Sequence, residues 1–246
     1  PTLPDIPPTD LLQLARIAPL PLMAAGISGF VLGGFWGLAP VYASEIGFDA
    51  AGVGLLMSVT ILGGAVLQWP IGLFSDKHER RTVLLWVVAL AAVLALAVAP
   101  LMASPLLLGL MFVWGGLAFS IYSIAVAQMV DQLNPDEILS GSSGLLLANG
   151  FGAALGPVAA GGLMHLVGPI ALPLFFAVGL GVLAFYAFYR PRKVFDLVTE
   201  PHGHFTPILR TSPTVMELMP DTPEDAAKHE PANEVELDDV PPPEAT

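Results

Sequence analysis

Five charged side chains lie within six consecutive positions, between two long apolar runs of the sequence. They are Asp76, Lys77, Glu79, Arg80 and Arg81, half of the ten formal charges between residues 17 and 189. An aspartate can pair with an arginine four residues later, and it can cap the first N–H groups of a following helix. The spacing predicts that Asp76 does both. The simpler alternative is a charged loop that only fixes the membrane topology.

The composition predicts which elements position this cluster. The chain has 246 residues, of which 54% are hydrophobic and 12% charged, whereas soluble proteins have about 25% charged residues. A helix needs ~20 apolar residues to cross a bilayer core. Six runs have that length, near residues 18–42, 52–74, 82–103, 105–130, 141–165 and 169–190. They lack the alternation of barrel strands, so we expect an all-α membrane protein with six transmembrane helices.

The basic residues indicate the orientation of these helices. With six spans, all of them fall on the same side as the two termini, and the opposite loops have none. They are Arg16, Lys77, Arg80, Arg81, Arg190, Arg192, Lys193, Arg210 and Lys228. The positive-inside rule therefore predicts a multi-pass protein of the cell (inner) membrane with both termini in the cytoplasm.

The two ends of the chain differ from the apolar bundle. Residues 1–17 begin with a proline-rich stretch and continue into a segment that can form either a short interfacial helix or the plain entry to the first span. Residues 18–190 form the six-helix bundle. Residues 191–246 carry twelve acidic residues, four basic residues and ten prolines, a composition that predicts a disordered acidic cytoplasmic tail.

Several classes of function are opposed by the residues present. The chain has no cysteine, no H-E-x-x-H motif and no paired aspartates at mid-span, so we expect no enzyme activity. His202 and His204 lack a third ligand at useful spacing, so we expect neither a metal nor a cofactor. The acidic tail opposes binding to nucleic acid. No Asp, Glu, Lys or Arg lies near the middle of a span, so an obvious proton carrier is missing.

Polar side chains inside the spans indicate which helices face a pathway, because such residues are costly in lipid. The third and sixth spans have almost none and are predicted to face lipid. The candidates for lining a pathway lie on the other four spans: Trp36, Thr60, Gln68, Trp69, Tyr122, Ser123, Gln128 and Asn149. Hydrogen bonds between helices are the alternative for Gln68 and Asn149, and ordinary packing is the alternative for Trp36.

The charged stretch resembles a signature of the major facilitator superfamily, G-x-x-x-D-[RK]-x-G-[RK]-[RK], in the loop between the second and third helices. Gly72, Asp76, Lys77, Arg80 and Arg81 match it, and Glu79 replaces its second glycine. The resemblance implies a conformational latch. In one conformation Asp76 would pair with the start of the fifth helix, near residues 140–143, and in another it would release it.

Two further stretches resemble the same superfamily. Gly152, Gly156 and Pro157 approximate its glycine-rich fifth or eleventh helix, with glycines that allow close helix packing. Residues 33–43 and 55–72 are most similar to the second half of bacterial YcaD-like members. The likeness covers six helices where the full fold has twelve, in two halves with a 3+3 inverted repeat. It therefore implies helices seven to twelve, either cut from a longer chain or encoded separately.

This resemblance implies a secondary transporter half that moves an unidentified small solute by alternating access. The expected partners are the lipid bilayer and an N-terminal six-helix half, in the same longer chain or in a separate subunit. The first, second, fourth and fifth helices would line the cavity, with the third and sixth outside. The alternative is a non-transporting membrane sensor or scaffold whose acidic tail recruits a partner.

Overall fold

The six predicted spans are helices in the computed structural model, which describes residues 11–102, 104–133 and 137–190. The described residues form seven α-helices and one short 3-10 turn, Ala99–Leu101, with no strand among them. In chain order the helices are α1 Leu11–Ile17, α2 Pro19–Glu45, α3 Ala50–Lys77, α4 Arg80–Val98, α5 Leu106–Val130, α6 Ile138–Val167 and α7 Ala171–Tyr189. Helices α2 to α7 are long and apolar enough to cross a membrane, which confirms the prediction of six spans.

The helix boundaries differ from the expected ones by up to three residues at most ends and by five at the end of α4, where the 3-10 turn follows Val98. Helix α3 runs to Lys77 rather than residue 74, and α6 begins at Ile138 rather than residue 141. The length of an apolar run reports the hydrocarbon thickness, whereas backbone hydrogen bonding can continue into the polar interface. Residues 11–17 form a short helix of their own, and Leu14 is buried against the bundle. The predicted tail lies outside the described residues.

Local signals set the turn between α2 and α3. Gly47 has a φ of 98°, a left-handed conformation that glycine adopts without strain. Asp49 is the N-cap of α3, and its Oδ1 accepts a hydrogen bond of 2.8 Å from the N–H of Gly52. This cap satisfies one of the free N–H groups at the helix start. Neither residue was predicted from the sequence to have this role.

The helices pack in the pattern of an inverted repeat, in which α2, α3 and α4 correspond to α5, α6 and α7. Helix α2 packs most extensively against α6, and its counterpart α5 packs in the same way against α3. Helices α4 and α7, which correspond to each other, form the third pair. The all-α half bundle with a 3+3 repeat therefore has the expected architecture.

Glycine allows close approach in the α2–α6 pair. A Cβ atom added to Gly29 or Gly33 on α2 would fall within 3.0 Å of the backbone of Asn149 or Ala153 on α6, a distance that real Cβ atoms essentially never show. Gly152 meets the backbone of α2 in the same way. Gly156 also lies against that backbone, and Pro157 contacts Gly37. Small residues at a helix interface allow this contact between backbones.

The α3–α5 pair uses the same device. A Cβ atom on Gly63 of α3 would collide with the backbone of Phe112, and one on Gly115 of α5 would collide with the backbone of Thr60. Both long pairs are therefore in backbone contact, and no bulkier residue fits at these positions without moving a helix.

Helices α3 and α6 are the least covered of the six. They bury 22% of their most hydrophobic 18-residue stretch, against 50% to 56% for the other four helices. Each presents a continuous apolar face outward, including Leu62, Val66 and Trp69 on α3 and Leu147 and Phe151 on α6. The core instead lies along α2, α5, α4 and α7, where Phe35, Trp114 and Leu180 are fully buried.

Candidate functional site

The charged loop holds three helices together through Arg80. Its Nη1 lies 2.8 Å from Oδ1 of Asp76, at the end of α3, and its Nε lies 2.5 Å from Oδ2 of Asp131, directly after α5. The predicted pair of Asp76 and Arg80 is thus present. The three side chains form an Arg80 cluster that links the ends of α3, α4 and α5. The guanidinium suits this role because it can donate to two carboxylates at once.

The expected capping role of Asp76 is wrong. Helix α3 continues to Lys77, so Asp76 lies inside its last turn. An N-cap residue must leave the helical conformation, and Glu79 occupies that position for α4 with a ψ of 110°. A carboxylate near a helix C-terminus is unfavourable to the helix dipole. Pairing with Arg80 offsets that cost.

Arg81 points in a different direction from Arg80. Its Nη2 donates a hydrogen bond of 2.9 Å to the carbonyl oxygen of Ala187 and a second one to that of Arg190. The last carbonyls of a helix have no partner within the helix, so Arg81 caps α7 from the start of α4. The two adjacent arginines therefore attach α4 to opposite neighbours, Arg80 to α3 and α5 and Arg81 to α7.

The other residues of the loop signature lie at the surface. Lys77 and Glu79 are exposed, and Oε2 of Glu79 accepts a hydrogen bond of 2.6 Å from Thr82. A Cβ atom added to Gly72 would meet nothing within 4 Å. No contact among the described residues explains a glycine at this position.

The resemblance places the partner of Asp76 at the start of α6. In this structure the serine hydroxyls there make hydrogen bonds within their own segment. The hydroxyls of Ser140, Ser142 and Ser143 donate to carbonyl oxygens of their own helix, at 2.9, 2.7 and 3.0 Å. Asp76 pairs with Arg80 instead.

Two of the predicted pathway residues make hydrogen bonds between helices. Nε2 of Gln68 on α3 donates to the hydroxyl of Ser123 on α5 at 3.3 Å. Nδ2 of Asn149 on α6 donates to the carbonyl oxygen of Ala25 on α2 at 3.0 Å. Each long helix pair thus has one side-chain amide at its interface. This arrangement favours the packing alternative for both amides.

Two further candidates are buried within the half bundle. Thr60 is fully buried, and its hydroxyl donates to the carbonyl oxygen of Leu56 at 2.8 Å. Its methyl group faces Gly115. Gln128 is also buried, and its Oε1 has no hydrogen-bond partner among the described residues. Neither side chain faces an opening in this conformation.

The aromatic candidates differ in their surroundings. Trp36 is 50% exposed, and its ring rests edge-on against Phe35 and Phe119, with centroids 5.4 and 6.0 Å apart. Trp69 is 74% exposed on the outer face of α3, while Tyr122 is partly buried against the core. Trp36 therefore presents an aromatic surface at the junction of α2 and α5, the two central helices.

Asp131, the second carboxylate of the Arg80 cluster, was not predicted from the sequence. It lies 51 residues after Arg80, and only the packing of α4 against α5 brings the two together. The available signal was its position, an acid at the end of the fourth span on the same side as the charged loop.

Comparison with known proteins identifies the family that combines this bundle with such a loop. The family model of the Major Facilitator Superfamily matches residues 22–219. The chain belongs to the major facilitator superfamily. It is therefore a multi-pass membrane protein from a family of transporters rather than enzymes.

Curated relatives support the YcaD-like branch of the major facilitators. The chain is similar to an uncharacterized MFS-type transporter, YcaD, of Escherichia fergusonii, with 34% identity over 155 residues. It is equally similar to YcaD of Escherichia coli O9:H4 (strain HS), over 152 residues. Each match covers 61% of this chain and 38% of the relative. The chain thus spans about two fifths of these relatives. No solved structure matches it.

Proposed function

We propose that this chain forms the second half of a secondary active transporter. In this proposal it supplies helices seven to twelve of a twelve-helix major facilitator and moves a small solute by alternating access. The observation that carries the proposal is the Arg80 cluster, set at one end of an inverted-repeat bundle. It joins three helices through polar contacts that can be made and broken, while the helix pairs themselves are held by rigid backbone contact.

The partner of this half is a second six-helix bundle, in the same longer chain or in a separate subunit. The outward apolar faces of α3 and α6 support this proposal, because they are the least covered surfaces of the six spans. The basic side chains gather at one end of the bundle, which we call the basic end; among the described residues it carries Arg16, Lys77, Arg80, Arg81 and Arg190. We propose, from the positive-inside rule, that the basic end lies on the cytoplasmic side of the inner membrane.

The candidate pathway of this half has an uncharged wall. Trp36 and Phe119 supply its aromatic part, and Gln68, Ser123 and Asn149 supply polar groups at the interfaces beside it. The spans carry no Asp, Glu, Lys or Arg at their centre. A charge that couples transport to a proton therefore belongs to the other half in this proposal.

The Arg80 cluster acts as a latch that closes the basic end. Removing the charge of Asp76 weakens the hold of α3 on Arg80 and shifts the population toward the conformation that is open at this end. The test is Asp76→Asn in the complete protein, combined with Trp36→Cys as a reporter, since the chain has no native cysteine. We expect slower labelling of the reporter by a membrane-impermeant maleimide added at the end opposite the basic end, together with an altered transport rate.

Asp49→Asn is the matched control, because it makes the same change at the opposite end of α3. Asparagine also caps a helix well, so this variant should keep the labelling rate of the parent. An unchanged transport rate and an unchanged labelling rate for Asp76→Asn would reject the latch.

A further inference from the structure

A deep apolar groove lies on the outer side of the bundle, where α6 and α7 diverge over α2. It has a volume of about 570 Å³. Leu163 and Val167 of α6 form one wall, and Val178 and Val182 of α7 form the other. All four wall side chains are exposed in the half bundle, so the groove is open along its length.

The floor of the groove is built from small and aromatic residues. The ring centroids of Phe30 and Phe175 lie 4.7 Å apart, and Ile27 of α2 also lines the groove. Gly179 of α7 supplies the rest of the depth. A Cβ atom there would lie 3.1 Å from Cγ2 of Val31, so a side chain at this position would fill the floor.

The length of the groove matches one leaflet of a bilayer. Along α7 it extends from Ala171, the first residue of the helix, to Val182. Eleven residues at 1.5 Å each span roughly 16 Å, about half of a hydrocarbon core of ~30 Å. Along α6 it runs from Ala159 to Val167, the last residue of that helix. The groove therefore begins at the end of the bundle opposite the basic end and stops near its middle.

The chemistry of the lining decides what fills this space. Every lining residue is apolar, and a water molecule needs two to four polar partners to be held in such a site. The groove lies within the membrane-spanning segments, where hydrocarbon is the surrounding solvent. In the groove, a flexible chain of methylene groups makes dispersion contacts with both walls and the floor. On a flat helix face it makes such contacts on one side only.

We propose that this groove binds one acyl chain of a phospholipid from the leaflet opposite the basic end. The lipid contacts α2, α6 and α7 together and exchanges more slowly than the lipids that coat the rest of the bundle. It also connects α7 to α6, which pack much less extensively against each other than α7 does against α4. The site is independent of the solute pathway, because it opens on the outside of the bundle.

Photo-crosslinking of the complete protein tests the proposal. The protein is reconstituted in vesicles of phosphatidylethanolamine and phosphatidylglycerol that contain a small fraction of phosphatidylethanolamine with a mid-chain diazirine, and adducts are mapped by mass spectrometry. We expect at least about threefold more adducts per exposed residue in the groove than on the outer face of α4, at Trp86, Leu90 and Val93.

Two filling variants and one control complete the experiment. Gly179→Leu fills the groove from its floor on α7, Ala159→Leu fills it from α6, and each should reduce groove adducts about threefold. Gly181→Leu lies on the same helix, where an added Cβ meets nothing within 4 Å, and should leave the adducts unchanged.

A number of adducts per exposed residue in the groove equal to that on α4 would mean that only unselective coating lipid is present. Groove adducts that neither filling variant reduces would mean the same. Either result would overturn the site. Absence of groove adducts would mean that a protein helix covers the groove, which overturns it as well. If neither filling variant folds, as judged by gel filtration, the ratio of groove to α4 adducts in the unmodified protein decides.

Discussion

The hairpins α3–α4 and α6–α7 occupy equivalent places in the inverted repeat, yet their connections differ in kind. The first turn is formed by His78 and Glu79, and Arg80 just after it pairs with carboxylates at the ends of two other helices. The second turn, residues 168–170, carries no charge and depends on Gly168 with a φ of 88°. One end of the bundle is held by ion pairs, and the other by backbone conformation.

This difference shows which properties belong to the repeat and which do not. Close packing through glycine is common to the two equivalent helix pairs between the repeats, since α2–α6 and α3–α5 both make backbone contact. The polar network of the Arg80 cluster is present at the basic end only, among the described residues. Ion pairs at a surface respond to salt and to small displacements, whereas backbone contacts do not. A conformational change is therefore expected to begin at the basic end.

The largest expected effect comes from disrupting what the two repeats share. Gly33→Leu forces α2 away from α6, and Gly115→Leu forces α5 away from α3, because each new side chain meets backbone atoms. We expect each variant to lose about 3 kcal/mol or more of unfolding free energy, measured by SDS titration in mixed micelles. Gly109→Leu on α5 is the control, since a Cβ there meets nothing within 4 Å. A large loss in only one variant would show that the repeats are not equally packed.

An intermediate effect is expected at the uncharged turn. Gly168→Ala places a side chain on a left-handed backbone and should cost about 1–3 kcal/mol, with the same value at low and high salt. Gly162→Ala, in a helical and open part of α6, is the control and should not destabilise the protein. A cost for Gly168→Ala that changes with salt would contradict a purely conformational origin.

The smallest effect is expected for the ion pair itself. Arg80 and Asp131 are partly exposed, with 23% and 53% of their side-chain surfaces accessible, so their coupling should be only about 0.2–1 kcal/mol. A double-mutant cycle of Arg80→Gln and Asp131→Asn measures it in the same SDS titration. We expect the coupling to fall as salt is raised. A coupling that is independent of salt would remove the contrast between the two turns.

The sequence predicts the spans and their number because the bilayer imposes one simple requirement on the chain. A run of ~20 apolar residues must form a helix, since lipid offers no partner to its backbone groups. The ion pair of Asp76 and Arg80 could be predicted for a similar reason, because the two residues are only four positions apart in the sequence. The predicted cap at Asp76 was wrong because α3 continues to Lys77. The end of that helix is not marked by a change in hydrophobicity, so the sequence did not locate it.

The candidate pathway residues depend more heavily than the spans do on contacts between residues far apart in the sequence. Gln68 and Asn149 had two interpretations in sequence, and only the positions of Ser123 and Ala25 on neighbouring helices favour one of them. Thr60 and Gln128 look like pathway residues as polar groups in a span, yet the structure buries both. The sequence marks a residue as polar but does not tell which neighbour covers it.

The sequence by itself determined that residues 11–190 contain six helices able to span a membrane, and that the basic residues within this part lie at one end of the bundle. These properties follow from the hydropathy of the chain and the cost of placing charge in lipid, which act on each segment separately. The tertiary structure alone decided that α2 pairs with α6 and α3 with α5, that Asp131 completes the Arg80 cluster, and that Arg81 caps α7. Those contacts depend on which helix surfaces fit together, and in a uniformly apolar medium shape and a few polar groups make that selection.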